Sequence, residues 1–195
     1  MLADYNPTVL QLVTLPNFIL SWALHQQSET PALADASTLE TEAGREGEGE
    51  LELTPEVREA FAAFLYARRI SLHFISGAWS PEFVDLVAVA DVTRTADAAT
   101  AGAAAKLSTV VVGAETIYSP FALGAFAQTL FALLERERAR GNAAEALVGA
   151  KRLYFGVGGS LDDFVARAKE LGADTEQVWE ETEGVRRGVV RCRLP

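Results

Sequence analysis

The run Leu-Ser-Thr-Val-Val-Val, Leu107–Val112, constrains the fold of this 195-residue chain more than any other stretch. It is uncharged and rich in β-branched residues, with no alternation of polar and apolar positions. Such a run suits a strand buried on both faces, as in a parallel sheet. Gly113-Ala114 carry it into Glu115, Tyr118 follows three residues later, and Ser119-Pro120 open a helical pattern. A carboxylate next to a buried strand needs a partner or a task.

Strand and helix patterns alternate from the start. Met1–Tyr5 reads as the tail of a strand, Asn6 as a helix cap and Pro7 as a first helical residue. Val9, Leu10, Leu12 and Val13 form the apolar face, and Pro16 kinks or restarts a helix that runs towards His25. Thr54-Pro55 start a second helix with Val57, Phe61, Phe64 and Leu65 on one side. Ile70–Ser76 reads as a buried strand, and Phe83–Val89 is apolar but ambiguous between helix and strand. Leu123, Phe126, Leu130, Leu133 and Leu134 stripe the helix after Pro120, which Gly141-Asn142 stop. Glu135 and Glu137, each three residues before an arginine, suggest its wet outer face. Ala144–Lys151 is another strand. Ser160 and Asp163 resemble a capping box, with Asp for the usual Glu, for a helix ending near Gly172. Thr175–Glu181 and Gly188–Leu194 form a closing antiparallel pair. This order predicts an α/β layer structure with a mostly parallel sheet.

Length and a 49% hydrophobic content suit one domain spanning 1–195. Two segments interrupt it: an acidic stretch, 26–53, read as a disordered insertion, and a low-complexity insertion, 91–106. Net charge is −10, of which Glu29–Glu52 carry −7. The acidity therefore belongs to that insertion rather than to the globular surface, and no basic stripe points to nucleic acid. The single cysteine, Cys192, excludes an internal disulfide and fits a reducing compartment. No apolar stretch is read as long enough to cross a membrane, because the best candidate, Phe18–Leu24, is short and follows Pro16. Met1–Tyr5 has no signal-peptide character.

In open α/β sheets, ligands sit at the carboxyl ends of strands. There stand Asp4-Tyr5-Asn6, Ser76-Gly77-Ala78-Trp79-Ser80, Glu115–Tyr118 and Lys151–Gly159. Asp4 is either a ribose acceptor or a helix-entry cap. Trp79, beside Gly77, is either an adenine wall or an ordinary packed tryptophan. Tyr118 is a site residue or a helix-entry aromatic. Tyr154–Ser160 is glycine-bearing but lacks a phosphate-loop pattern, and Asp162 and Asp163 would repel phosphate. Two distant histidines, His25 and His73, and one cysteine make a metal centre improbable. A serine triad lacks its elbow motif.

Val111–Pro120 resembles the L-T-S-E-T-I-Y-x-P segment of the eukaryotic histidine protein methyltransferases. Ala3–Asn17 (A-D-Y-N-P-T-V-L-Q-L-V-T-L-P-N), Phe74–Ser80 (F-I-S-G-A-W-S), Ala150–Gly159 (A-K-R-L-Y-F-G-V-G-G) and the tail Glu183–Arg193 (E-G-V-R-R-G-V-V-R-C-R) resemble the same family. The resemblance implies a Rossmann-like seven-strand sheet with helices on both faces and a C-terminal antiparallel hairpin. It also implies S-adenosyl-L-methionine as methyl donor. The implied partner is a protein substrate, the large-subunit ribosomal protein uL3, methylated on the distal nitrogen of a histidine in the cytoplasm or nucleus. By the same resemblance Asp4 and Tyr5 serve the cofactor, Asp4 through its ribose, while Gly77 and Trp79 border the adenine. Glu115 and Tyr118 face the methyl-transfer centre. The sequence departs from the family at Ala78, where an acid is usual, and at Ser160, where a glycine is usual. The family's first strand and its G-C-G loop lie upstream of the position of Met1, so the first strand is expected to be missing and the isolated chain to behave poorly. Two alternatives stand beside this reading: a non-catalytic remnant that at most binds a partner, and a related seven-strand lysine methyltransferase.

Overall fold

The computed structural model describes residues 1–34, 36, 50–98, 108–152 and 159–195, with the backbone alone for 91–98. The described residues form an α/β structure that divides into two compact units, Met1–Gly77 and Ala78–Pro195.

In the first unit, β1 (Leu2–Asp4) and β2 (Phe74–Ser76) pair in parallel, Leu2 beside Phe74 and Asp4 beside Ser76. The second strand is shorter than the predicted Ile70–Ser76, and Phe74 is 39% exposed rather than buried. After β1 the Asn6 Oδ1 accepts the Thr8 N–H at 2.9 Å, with Pro7 opening the helix. Helical backbone then continues through α1 (Pro7–Val9), a π-helical stretch (Leu10–Thr14) and α2 (Leu15–Gln26). α2 restarts one residue before Pro16, which stands in its first turn, as the sequence leads one to expect. A proline lacks the N–H for the ladder and its ring crowds the carbonyl four residues back, and the wide turn immediately before α2 makes room. The expectation of no span-length apolar segment is thereby corrected. The continuous helix Pro7–Gln26 has 20 residues and is apolar enough, by length and composition, to cross a membrane. Ile19, Trp22 and Ala23 nevertheless lie in a core with Val57 and Phe61 of α3 (Pro55–Ala67). The Trp22 and Phe61 rings are 5.3 Å apart. Thr54 caps α3 by accepting the Val57 N–H.

The acidic segment 26–53 is not structureless throughout. Pro31–Leu33 form a short 3₁₀ turn, and Leu33 is fully buried in that same core. Residues 35 and 37–49 of the segment lie outside the described ones.

In the second unit, α4 (Pro81–Ala98) resolves the ambiguity at Phe83–Val89 in favour of helix. It also absorbs 91–98 of the predicted low-complexity insertion, as alanine's helix propensity permits; 99–107 lie outside the described residues. A four-stranded mixed sheet follows in the order β3-β4-β6-β5, from β3 (Ser108–Ala114), β4 (Ala143–Lys151), β5 (Asp174–Glu181) and β6 (Arg187–Arg193). β3 and β4 are parallel, and β6 runs antiparallel to both of its neighbours. Helices α5 (Pro120–Ala139) and α6 (Leu161–Glu170) supply Leu130, Leu134 and Phe164 to a core. Alternate residues Ala146, Val148 and Ala150 of β4, with Val190 and Cys192 of β6, complete it. Burial pushes the Cys192 thiol up to about 11.

Two expectations fail in this unit. Among the described residues β3 is paired on one side only, and it is not doubly buried: Val110 and Val112, on the face away from α5, are 50% and 70% exposed. Glu137 does not lie on a wet face but is 6% exposed. Its carboxylate accepts from Thr109 Oγ1 at 2.9 Å and Asn142 Nδ2 at 3.0 Å and pairs with Arg140 at 3.1 Å, tying the end of α5 to the start of β3. Burial pushes its pKa up, but the bonds from Asn142 and Thr109 and the charges of Arg140 and Arg136 outweigh this and hold it below the usual range.

Candidate functional site

The predicted site residues fall at the carboxyl ends of parallel strands in both units. In the first unit Asp4 ends β1, and its Oδ1 accepts the Asn6 N–H at 2.8 Å. The helix cap itself is Asn6, so Asp4 only bonds the N–H of the capping residue, and its Oδ2 makes no bond among the described residues. Tyr5 is largely exposed beside it. Gly77 follows β2, and its N–H points to the Asp4 carbonyl at 3.3 Å, so Asp4, Tyr5 and Gly77 share one end of the parallel pair.

In the second unit Trp79 is half-buried against Phe83 and Phe126, edge-on to both, with centroids 5.0 and 5.9 Å apart. The Phe126 ring also fills the space over Gly113, where an added Cβ would lie 2.4 Å from Cζ. Trp79 is thus joined through one ring to the strand that ends at Glu115.

Glu115 has a left-handed backbone, φ 55°, a conformation shared among the described non-glycine residues only with Arg69. The αL region costs an L-residue about 1–2 kcal/mol, so the surroundings must impose it. The backbone contact to β4 does so locally. The Glu115 N–H donates to the Gly149 carbonyl on β4 at 2.9 Å, and Oε1 lies 3.4 Å from Arg187 Nε on β6. The carboxylate itself is about half exposed. Ile117 is fully buried and anchors the loop, while Tyr118 is 60% exposed. Ser119 then caps α5 by accepting the Ala122 N–H at 3.1 Å.

The loop is held from the other side by Gly159, φ +79°. A Cβ there would lie 2.6 Å from the Ile117 carbonyl oxygen and 2.6 Å from the Ser119 carbonyl carbon. Only a glycine lets the two backbones approach this closely. Of the glycine-bearing stretch Tyr154–Ser160, only Gly159 and Ser160 lie within the described residues. Ser160 and Asp163 do form the reciprocal capping box, which holds the Asp163 carboxyl below its usual range.

Three residues beside the site were not singled out from sequence: Arg152, Arg187 and Phe121. Arg152, at the end of β4, pairs with Glu180 at 3.0 Å and also engages Asp162 and Gln177. Burial pulls the Arg152 pKa down, but the bonds and charges of Glu180 and Asp162 raise it overall. Both arginines stand inside stretches that resemble the methyltransferase family, which is the signal that could have found them. Phe121, one residue into α5, is 87% exposed close in sequence to Tyr118. No group of three or more metal-ligating side chains occurs among the described residues. A cavity of about 460 Å³ opens at the opposite end of the strands, among Ser108, Arg138, Asn142, Glu145 and Arg193, and none of the predicted site residues lines it.

No protein-family model matches the chain. It is 33% identical over 168 residues to histidine protein methyltransferase 1 of Saccharomyces cerevisiae, covering 85% of this chain and 40% of that protein. It is 31% identical over 190 residues to histidine protein methyltransferase 1 of Schizosaccharomyces pombe, covering 96% of this chain and 46% of that one. The chain thus spans less than half the length of the curated relatives it matches. Along most of its own sequence the chain is similar to both of these histidine protein methyltransferases.

Proposed function

We propose that this chain carries part or all of an S-adenosylmethionine-dependent protein-histidine N-methyltransferase acting on the distal imidazole nitrogen of a large-subunit ribosomal protein, uL3, in the cytoplasm or nucleus. The observation that carries the reading is Glu115: a carboxylate held in αL backbone at the carboxyl end of a parallel strand, inside the E-T-I-Y segment. Strain of that kind is retained where function needs it.

Each unit, taken by itself, offers groups of the kind the cofactor takes. Asp4 offers carboxylate lone pairs beyond the one taken by Asn6, which suits the hydroxyls of a ribose. Tyr5 offers an exposed ring, and Gly77 adds no side-chain bulk beside them. Trp79, half-buried, would border the adenine with its free surface. S-adenosylmethionine, when bound, supplies an electrophilic methyl on a sulfonium.

The residues of the chain then have to orient the nucleophile. Neutral imidazole already carries a lone pair and needs no strong base. Glu115 would accept the N–H of the ring nitrogen nearer the backbone, which leaves the lone pair on the distal nitrogen. The same carboxylate would stabilise the positive charge that grows on the ring. Tyr118 would wall and orient the ring, so that alignment rather than proton abstraction lowers the barrier.

The finer fold belongs to the same proposal. β3 has the composition of a strand paired on both sides, yet its outer edge is unpaired among the described residues and Val112 is largely exposed. A seven-stranded sheet with one more strand along β3, and helices on its second face, accounts for both. That open edge also favours a second reading, in which these 195 residues alone do not turn over.

The test is methyl transfer from labelled S-adenosylmethionine to recombinant uL3, with titration of S-adenosylhomocysteine by calorimetry alongside. Wild-type chain labels a histidine, and Glu115→Gln binds the homocysteine product normally but loses at least about 100-fold in turnover, the scale of a removed transition-state partner. Label on lysine would favour the lysine methyltransferase. Neither heat nor label with the wild type establishes the non-catalytic reading.

A further inference from the structure

We infer that Arg187 is the positioning residue for Glu115, acting through the carboxylate rather than on the substrate; the inference rests on the function proposed above. Two segments that resemble the methyltransferase family in separate parts of the sequence, E-T-I-Y and E-G-V-R-R-G, meet at one ion pair, Glu115 Oε1 to Arg187 Nε at 3.4 Å. Glu115 stands on a loop, whereas Arg187 stands on a strand with partners on both sides. It lies opposite Lys151 of β4 and opposite Glu181 of β5. Its backbone is therefore fixed by two ladders, and Gly188 after it is buried in the sheet. A guanidinium presents its donors in a rigid plane, so it sets the direction of a facing carboxylate as well as its charge.

The αL backbone of Glu115 sends its side chain along a path that the preceding strand would not give. The Gly149 bond fixes where that path starts, and Arg187 fixes where it ends. Both side chains are about half exposed, so the pair contributes little to stability. Its effect is on aim: without the guanidinium the carboxylate loses a contact that sets its direction, and the fraction of time it faces an imidazole N–H falls.

The experiment compares uL3 methylation by wild type, Arg187→Met, Arg187→Lys, Glu115→Gln and the double variant Glu115→Gln/Arg187→Met, with thermal midpoints measured in parallel. Arg187→Met should lower kcat about 10-fold, leave KM for both substrates within about 2-fold and leave the midpoint unchanged, since the loss is of orientation. Arg187→Lys should recover part of the rate, because it restores the charge but not the planar fork. In the Glu115→Gln background, Arg187→Met should change nothing further. Normal kcat in Arg187→Met while Glu115→Gln is inactive overturns this inference and leaves the proposed function standing. An equal further loss in the double variant also overturns it, since Arg187 would then act independently. Wild-type turnover in Glu115→Gln instead overturns the role given to Glu115, and this inference with it.

Discussion

Replacing Gly159 with alanine tests the framework that holds the candidate site. Two costs add at this position. A φ of +79° is strained for any L-residue, by about 1–2 kcal/mol, partly offset by the 0.4–1 kcal/mol gained from a stiffer unfolded chain. The new Cβ would also lie 2.6–2.8 Å from backbone atoms of Ile117 and Ser119, well inside van der Waals contact. Backbone cannot swing aside as a side-chain tip can, and overpacking of this kind costs about 1–3 kcal/mol more. Gly172 is the internal control: its φ is +82°, but nothing lies within 4 Å of its Cβ position. Gly172→Ala should therefore cost only about 0.5–1 kcal/mol, and Gly159→Ala about 2–4 kcal/mol. With a urea slope of about 2 kcal/mol/M, the two midpoints should differ by about 0.5–1.5 M at unchanged slope. Urea titrations followed by far-ultraviolet circular dichroism measure this directly. Equal midpoints for the two variants would refute the close approach of Gly159 to the Glu115–Ser119 loop.

Three further outcomes are expected. Glu137→Gln should destabilise by about 1–2 kcal/mol at neutral pH, the cost of weakening a buried charged hydrogen-bond set. The folded carboxyl titrates below its ordinary 4.5, so its contribution is present above that pH and is lost as pH falls through the folded value. The variant's acid limb should accordingly flatten below about pH 4.5, and an unchanged limb in pH-dependent urea unfolding would remove Glu137 from the role. Ser160→Ala should cost about 1 kcal/mol through loss of the α6 cap, read from the urea midpoint; a shift under about 0.3 kcal/mol would show the capping box to be idle. Val112→Lys should reduce self-association seen by light scattering while leaving the unfolding midpoint within about 0.5 kcal/mol, since a lysine on an exposed edge strand blocks edge pairing. Unfolding of that variant would mean that residue 112 is covered.

What sequence revealed and what it hid divide along physical lines. Caps depend on residues two or three positions apart, so Asn6, Thr54, Ser119 and Ser160 could all be placed from local sequence alone. The antiparallel pair β5–β6 was equally visible, within a residue or so of its bounds. Periodicity could not show that β3 pairs on one side only among the described residues, because composition reports what a strand suits rather than what lies beside it. It could not separate Glu137 from the wet face of α5 either, since the partners that make it buried, Thr109 and Asn142, lie off the helix. The restart of the helix at Pro16 was legible too, whereas no local rule foresees the π turn that precedes it. At the candidate site the residue types at strand ends were legible, with Asp4, Gly77, Trp79, Glu115 and Tyr118 all marked. The contacts that constrain them were not. Arg187 meets Glu115 across 72 positions of sequence, and nothing in either neighbourhood announces the other.

The lone thiol offers a use that needs no substitution. Cys192 is inaccessible to solvent and titrates near 11, so at neutral pH about one molecule in ten thousand carries the reactive thiolate even before burial blocks the reagent. Alkylation in native buffer must therefore wait for the core that β4 and β6 share with α5 and α6 to open. The labelling rate becomes a clock for that opening, and a strand or ligand that braces the sheet should slow it.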